Sequence, residues 1–485
     1  MSSTPAGTGA GEGSLHAPTR HPLDWRSESF YDTAALDREL ERVFDICHGC
    51  RRCFSLCNAF PTLFDAVDAT DAGEVSALDK KVFWQVVDHC YLCDMCFMTK
   101  CPYVPPHPWN VDFPHLMLRA KAVRVRGSGL SWQERALAAT DTVGAFAGIP
   151  VVVEVVNAFN ASRPGRAVLE KVLGVDRSAP VPRYHTRTAR RRLAGLGTVR
   201  AADGAEPAPP ATSGAGSVTA ASVPESTSAA AAPEAGAGQR RSVTTGRVAL
   251  FTTCYANRNE PELAEDLVAV LEHNGIDVAL LDAERCCGMP RLELGDLEAV
   301  ARLKERNIPQ LQAAVAAGYD LLAPIPSCVL MFKQELPLMF PEDPAVRQVA
   351  DRMFDPFEYL MLRHAAGRLR TDFKVALGKV SYHVPCHLRV QNIGLKTREL
   401  LRLIPGSTID TIERCSGHNG TYGVKARFRA ASMRIARPVV QRVESSGAEH
   451  FASDCPMAGH QIESGLGSAR APEHPLRLLR IAYGL

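Results

Sequence analysis

Leu36, Leu40, Val43 and Phe44 recur on one helical face and predict a helix from Ala34 to Ile46. A shorter periodic piece around Val82, Trp84, Val86 and Val87 predicts another. Residues 111–175 read as mostly helical, with breaks near Gly148-Ile149-Pro150 and Arg163-Pro164-Gly165. Beyond residue 246 the pattern changes. Short apolar runs at Arg247–Thr252, Ile276–Leu281 and Tyr319–Ile325 predict strands, with amphipathic helices at Glu260–His273 and Leu297–Ala317 between them. The order then returns as strand Val380–Val384, helix Leu395–Leu403, a short strand near Thr408, helix Val424–Val443 and strand His450–Ala452. This alternation predicts a duplicated α/β region with a largely parallel sheet.

Between the two patterns, residues 201–238 are Ala, Pro, Ser, Thr and Gly with almost no large apolar side chain. Such a stretch buries too little surface to offset its ordering entropy and predicts a flexible linker. The expected organisation is a disordered leader at 1–26, a helical domain at 27–195, a linker at 196–246, and two repeats at 247–372 and 373–485. The net charge of +2 gives no sign of a nucleic-acid surface. The longest apolar run, Val143–Val153, falls short of the roughly 20 residues that cross a bilayer. Arg183–Arg200 carries Arg183, Arg187, Arg190, Arg191, Arg192 and Arg200 with no acid, and two readings stay open. One is a solvated basic edge. The other is attraction to an anionic membrane surface, with Val151–Phe159 resting on the lipid. No secretory apolar segment is visible, so the expected location is the reducing cytoplasm, with peripheral contact at the inner face of the cell membrane.

The cysteines give the chain its chemistry. Cys47-x-x-Cys50-x-x-Cys53-x-x-x-Cys57 and Cys90-x-x-Cys93-x-x-Cys96-x-x-x-x-Cys101-Pro102 have the spacing of a pair of [4Fe-4S] clusters. Zinc prefers thiolates in two separated pairs and fits this packing poorly. The fourth cysteine of each run is expected to serve the other cluster, giving Cys47, Cys50, Cys53 with Cys101, and Cys90, Cys93, Cys96 with Cys57. The spacer between the runs, residues 58–89, suits an α-helical ferredoxin module, and Asn58 stands where proline usually follows the fourth cysteine. The remaining thiols repeat. Cys254-x31-Cys286-Cys287-Gly288 is separated from Cys328 by 39 residues, and Cys386-x28-Cys415-Ser416-Gly417 from Cys455 by 37. Each falls just after a predicted strand, so they are expected to gather at the carboxyl ends of the sheets, where open α/β folds bind ligands. These thiols suit a further iron-sulfur cluster, zinc or iron, or free thiols that exchange with disulfides. His383, His387 and His418 are additional ligand candidates in the second half. No Gly-x-Gly-x-x-Gly follows a strand, so flavin and NAD are expected on another chain.

Two ferredoxin-type runs followed by a duplicated cysteine pattern, with Cys286-Cys287-Gly288-Met289-Pro290 in one half and Pro385-Cys386-His387 in the other, resemble the CCG cysteine-rich-domain iron-sulfur proteins. That group includes the B subunit of heterodisulfide reductase, the glycolate oxidase iron-sulfur subunit and the anaerobic glycerol-3-phosphate dehydrogenase iron-sulfur subunit. Ser327-Cys328-Val329-Leu330-Met331-Phe332-Lys333 and Cys415-Ser416-Gly417-His418-Asn419-Gly420 look most like the last of these. The resemblance implies an electron-transfer subunit that takes electrons from a flavoprotein dehydrogenase and passes them to quinone or a redox protein. A thiol/disulfide reductase like heterodisulfide reductase is the alternative. Two departures bear on it: Ser416 replaces the second cysteine of the motif, and neither half carries the closing Cys-x-x-Cys of that reductase.

Overall fold

The structure is a computed structural model that describes residues 18–99, 101–199, 243–467 and 470–485. The first helix, α1 (Thr33–Cys50), starts where the Asp32 carboxylate accepts the free N–H groups of Ala34 and Ala35. It buries the four predicted apolar residues, Leu36, Leu40, Val43 and Phe44. It runs through Cys50 rather than stopping at Ile46, so its last turn carries Cys47 and Cys50. It ends at Arg51, whose φ of 52° is left-handed. Helices α2 (Ala59–Asp68), α3 (Lys80–His89), α4 (Met95–Thr99) and α5 (Phe113–Ser128) complete this region. Its core is aromatic: Phe44 meets Phe83 at 5.1 Å and Phe60 meets Phe113 at 4.8 Å between ring centroids.

Short helices extend it: α6 (Trp132–Leu137), α7 (Thr140–Ala147), α8 (Val152–Ala161), α9 (Arg163–Leu173) and α10 (Ala189–Arg192). The break expected near Gly148-Ile149-Pro150 is present, and α7 and α8 meet there at 108°. Val151, at the turn, has a φ of 72°, an unfavourable conformation for a β-branched residue. No single described helix is long and apolar enough to cross a membrane.

The second region holds two parallel sheets. Strands β1 (Gly197–Val199), β2 (Arg247–Leu250), β3 (Asp277–Leu281), β4 (Asp320–Leu322) and β5 (Met353–Phe354) lie in the order β1-β3-β2-β4-β5. Strands β6 (Gly378–His383), β7 (Ser407–Ile412) and β8 (His450–Ser453) lie in the order β7-β6-β8. Val248 pairs with Val278 in the first sheet, and Val380 with Ile409 in the second. The duplication is therefore structural: β2, β3 and β4 occupy the places of β6, β7 and β8. Continuous buried runs in β2, β4 and β6 reflect helices covering both faces of each sheet.

Three boundaries move. Residues 18–26, assigned to a disordered leader, pack onto the first repeat: Leu23 N–H donates to Leu338 O and Trp25 Nε1 to Met339 O. Trp25 keeps only 2% of its surface exposed, and burying a side chain of this kind contributes on the order of 2–3 kcal/mol. The predicted linker loses Gly197–Val199, which form an edge strand against β3; its central part, like residues 1–17, lies outside the described residues. The last helix, Pro475–Tyr483, belongs to the second repeat in sequence but packs on the first, where Arg480 pairs with Asp266 at 2.7 Å.

Candidate functional site

Cys47, Cys50, Cys53 and Cys101 line one small cavity together with Phe60 and Phe64. Burial pushes the Cys47 thiol well up, and the charges that act on it are those of Cys53, Cys101 and Cys50. The structure thus brings together the first crossed set. The thiols acting on Cys96 are Cys53, Cys93, Cys90 and Cys57, so the second crossed set also gathers, with Cys53 at its border. The loop that shapes this second set is conformationally unusual. Leu92 and Asp94 both have positive φ, at 52° and 57°, and such residues cluster at functional sites.

Backbone amides point at the sulfurs. Cys57 accepts from Ala59 and Phe60, Cys90 from Leu92, Cys93 from Met95, and Cys101 from Tyr103 and Val104. Such donors stabilise thiolate rather than thiol. Burial acts the other way and raises all four thiols. A cationic group that binds them as thiolates resolves that opposition, and this donor set fits an iron-sulfur cluster.

The loop is clamped by a residue that sequence reasoning placed in the leader. Arg20 Nη1 pairs with Asp94 Oδ2 at 2.6 Å and Arg20 Nε with Asp112 Oδ2 at 2.9 Å, while its guanidinium lies 4.8 Å from the Phe97 ring centroid. Burial alone would raise Asp112, but Arg20 and His115 outweigh it and bring that carboxyl down to about 2. Asp112 also caps α5 by accepting from His115 N–H, so one guanidinium ties the cysteine loop to a helix start. Composition hid this residue, because one arginine in a polar leader carries no pattern.

The seven remaining cysteines surround a single cavity of about 130 Å³ between the carboxyl ends of the two sheets. Cys254 follows β2, Cys286 and Cys287 follow β3, and Cys328 follows β4; Cys386, Cys415 and Cys455 follow β6, β7 and β8. The first four lie within hydrogen-bonding reach of one another in the order Cys254, Cys286, Cys287, Cys328. Donation from Cys254, Cys287 and the Gly288 amide holds the Cys286 thiol low. Burial pushes Cys455 up to about 12 against amides of Ala458 and Met457. Thr253, at φ 69°, and Gly288, at φ 103°, provide the backbone turns next to Cys254 and Cys287. Gly417 N–H donates to Cys415 Sγ at 3.3 Å. A Cβ on Gly417 would come within 2.2 Å of Ser432 O, so only glycine fits that turn. Among the described residues no group of three or more His, Cys, Asp or Glu has the geometry of a single metal ion.

The histidines separate. His383 is committed to Ser453 Oγ at 3.0 Å and Arg414 O at 2.9 Å and does not line the cavity, which corrects its candidacy as a ligand. His387 lines it but bonds Ser327 Oγ at 2.9 Å. His418 lines it, is buried, and has no hydrogen-bond partner on either nitrogen; burial pushes it down to about 4, so it is neutral. Ser416 faces the same cavity in place of a cysteine. The start of helix α7 borders the cavity, which sequence reasoning missed: Thr140 lines it, and Asp141 accepts from Cys286 N–H at 2.8 Å.

Contacts join the helical region to this cavity. Cys93 is acted on by Cys386 and Cys415, and Tyr91 Oη lies 3.2 Å from Cys415 Sγ. Tyr91 packs on Tyr422, which stacks on Phe428 at 4.7 Å. Asn58, in the place usual for proline, meets His89 Nε2 at 3.1 Å and accepts from Arg434 Nη2 at 3.3 Å, so its amide also serves this junction.

Cysteines at matching strand ends of two parallel-sheet repeats define a duplicated cysteine-rich domain. Residues 248–333 and 380–463 match the CCG cysteine-rich domain, so the second region carries two copies of it. The chain is homologous to the C subunit of anaerobic glycerol-3-phosphate dehydrogenase of Escherichia coli, with 32% identity over 235 residues that cover 48% of this chain and 58% of that protein. It also matches the B subunit of fumarate reductase (CoM/CoB) of Methanothermobacter marburgensis, at 26% identity over 49% of this chain and 46% of that protein. Lactate utilization protein A of Bacillus pumilus matches at 26% identity over 49% of this chain and 97% of its own length. The chain spans about half the length of the first two relatives.

Proposed function

We propose that the chain is an iron-sulfur electron-transfer subunit, with one [4Fe-4S] cluster on Cys47, Cys50, Cys53 and Cys101 and a second on Cys57, Cys90, Cys93 and Cys96. The seven thiols of the cavity, four from the first repeat and three from the second, hold a further iron-sulfur group. The observation that carries this reading is the unbroken series of thiols from Cys47 through Cys53, Cys96 and Cys93 to Cys415 and Cys386. Bound iron-sulfur groups supply one-electron steps along it, and the protein sets their spacing and potential. The names of the relatives as subunits of a dehydrogenase and a reductase support electron entry from a flavoprotein partner of the glycerol-3-phosphate or 2-hydroxy-acid type. Electrons leave to quinone or a redox protein.

Peripheral membrane contact is part of the same proposal. Val143, Phe146, Ile149, Val151, Val155 and Phe159 on α7, α8 and their turn are exposed, with Val168 and Val172 of α9 also exposed. Apolar surface concentrated this way marks an interaction site. Of the arginine stretch, Arg190 and Arg192 are committed to Glu284 and to Glu262 and Glu265, whereas Arg183, Arg187 and Arg191 are exposed.

One experiment tests acceptor and surface together. The anaerobically reduced protein is mixed with anionic phospholipid vesicles that contain a quinone. It is expected to sediment with them and to be reoxidised, and the pair Phe146→Asp and Val151→Asp to lose sedimentation at least tenfold. Reoxidation by a small organic disulfide but not by quinone would instead support the thiol/disulfide reductase. Equal sedimentation of the variant would remove the membrane role.

A further inference from the structure

A second cavity, of about 280 Å³, opens beside the thiol-lined one and is polar, with Asp88, Lys121, Arg124, Glu134, Lys425 and Arg427 in its walls. Among the described residues only Glu293 and Asn419 line both cavities. Glu293 sits on the helix Met289–Leu294, directly after Cys286-Cys287-Gly288. Its carboxyl is fitted against bare backbone: a Cβ on Gly420, whose φ is +50°, would lie 1.6 Å from Glu293 Oε2. Asn419 Nδ2 donates to Glu293 Oε1 at 3.5 Å and to Tyr91 O, and Asn419 Oδ1 accepts from Cys386 Sγ at 3.5 Å. An amide cannot take up and release a proton at neutral pH. The carboxyl is therefore the one group at the junction able to do so.

An electron that enters a cavity lined by seven thiols adds negative charge against a largely apolar wall, which screens it poorly. A proton that follows the electron removes that cost. We propose that Glu293 transfers this proton. The inference rests on the reading that the thiol-lined cavity holds a redox group fed by the cluster of Cys57, Cys90, Cys93 and Cys96. Glu293 gives its proton to a sulfur of the cavity as one electron arrives from that cluster, which is oxidised by one electron. The carboxylate then takes a proton from water in the polar cavity. One electron and one proton have entered the thiol-lined cavity, and Glu293 is unchanged.

The surroundings suit the role. Burial raises Glu293 to about 8 in spite of Lys121 and Lys425, so it holds its proton at neutral pH. Lys121 Nζ is occupied by the carbonyls of Cys90 and Glu293. Arg124 pairs with Asp88 at 2.7 Å and Lys425 with Glu134 at 3.1 Å, while Arg427 lies 3.5 Å from Glu134. On the thiol side the groups in electrostatic range are Cys286 and Cys386. Four cations thus face two other acids, Asp88 and Glu134, in the walls of the polar cavity, and burial of the carboxyl outweighs the pull of Lys121 and Lys425.

The test is rapid-mixing reduction of the cluster-loaded protein, read by freeze-quench EPR, for wild type, Glu293→Gln and Glu293→Asp. Positioned acid groups contribute about 10²-fold or more, so reduction of the cavity group is expected to slow on the order of 100-fold in E293Q and less in E293D. Reduction of both cubanes stays unchanged. The wild-type rate falls as pH rises through about 8, where the carboxyl loses its proton, and carries a solvent deuterium effect; both features vanish in E293Q. Infrared pH-difference spectra of the protein should show a carboxylic-acid carbonyl band that titrates at about 8 and is absent from E293Q. An unchanged rate in E293Q, or a slowed rate that keeps the wild-type pH profile and isotope effect, overturns the assignment to Glu293. Absence of any reducible group in the cavity of the wild type overturns the underlying electron-transfer reading instead.

Discussion

Arg20→Met is expected to destabilise the protein by on the order of 3–5 kcal/mol and to abolish loading of the cluster on Cys57, Cys90, Cys93 and Cys96. The removed guanidinium is the partner of Asp94 and Asp112 and lies near Glu335, at 3.9 Å. Its loss leaves Asp94, Asp112 and Glu335 in a buried pocket with only His115 beside the last two, which costs far more than the intact pair contributes. The consequence reaches the cluster because Asp94 lies between Cys93 and Cys96 with φ at 57°, held there by its two hydrogen bonds to Arg20. Thermal unfolding and iron content of the variant give the measurement. Adding Asp94→Asn and Asp112→Asn removes the stranded charges, and asparagine tolerates the left-handed conformation. The triple variant should regain most of the lost stability. A single variant that unfolds like wild type would show that the leader does not clamp the loop.

Cys101→Ser is expected to eliminate the cluster of Cys47, Cys50 and Cys53, removing about four of the iron atoms of two [4Fe-4S] clusters, and to leave the other cluster's EPR signal in place. Cys57→Ser should do the converse. The reason is spatial: Cys101 closes the second run in sequence but shares a cavity with Cys47, Cys50 and Cys53. Loss of the cluster on Cys90, Cys93 and Cys96 in the Cys101 variant would contradict the crossed arrangement. Since the two sets meet at Cys53 and Cys96, a modest shift in the surviving cluster's potential is compatible with it.

Strands β2, β3 and β4 were legible because each carries a short apolar run a few residues before a cysteine, whereas β7, Ser-Thr-Ile-Asp-Thr-Ile, was marked only by its β-branched residues. The five-stranded order was not legible: β1 has only three residues and β5 only two, too few for a periodic signal, and both exist through pairing with an established strand. The two cysteine runs stand out in the sequence because the spacing within each is a local property. The convergence of the other seven cysteines in one cavity does not, since it depends on how two sheets face each other. The three histidine candidates look alike in sequence, each a few residues from a cysteine. Only the fold distinguishes His383, bonded across β6 and β8, from His418, which faces the cavity with no partner. Arg20 and Asp141 lay beyond sequence reasoning because each meets a cysteine loop distant in the chain and a single charged residue carries no periodicity; Glu293 follows Cys287 closely but meets Asn419 and Gly420 only through the fold.

The central claim is that the electron path ends at a redox group in the cavity shared by the two repeats. Its most direct test is anaerobic purification with iron and sulfide quantified, followed by EPR during stepwise reduction of wild type and Cys287→Ser. The account predicts iron beyond the roughly eight atoms of two cubanes, and a third signal that Cys287→Ser abolishes while both cubane signals persist. About eight irons, two ordinary cubane signals and no change in the Cys287 variant would contradict it.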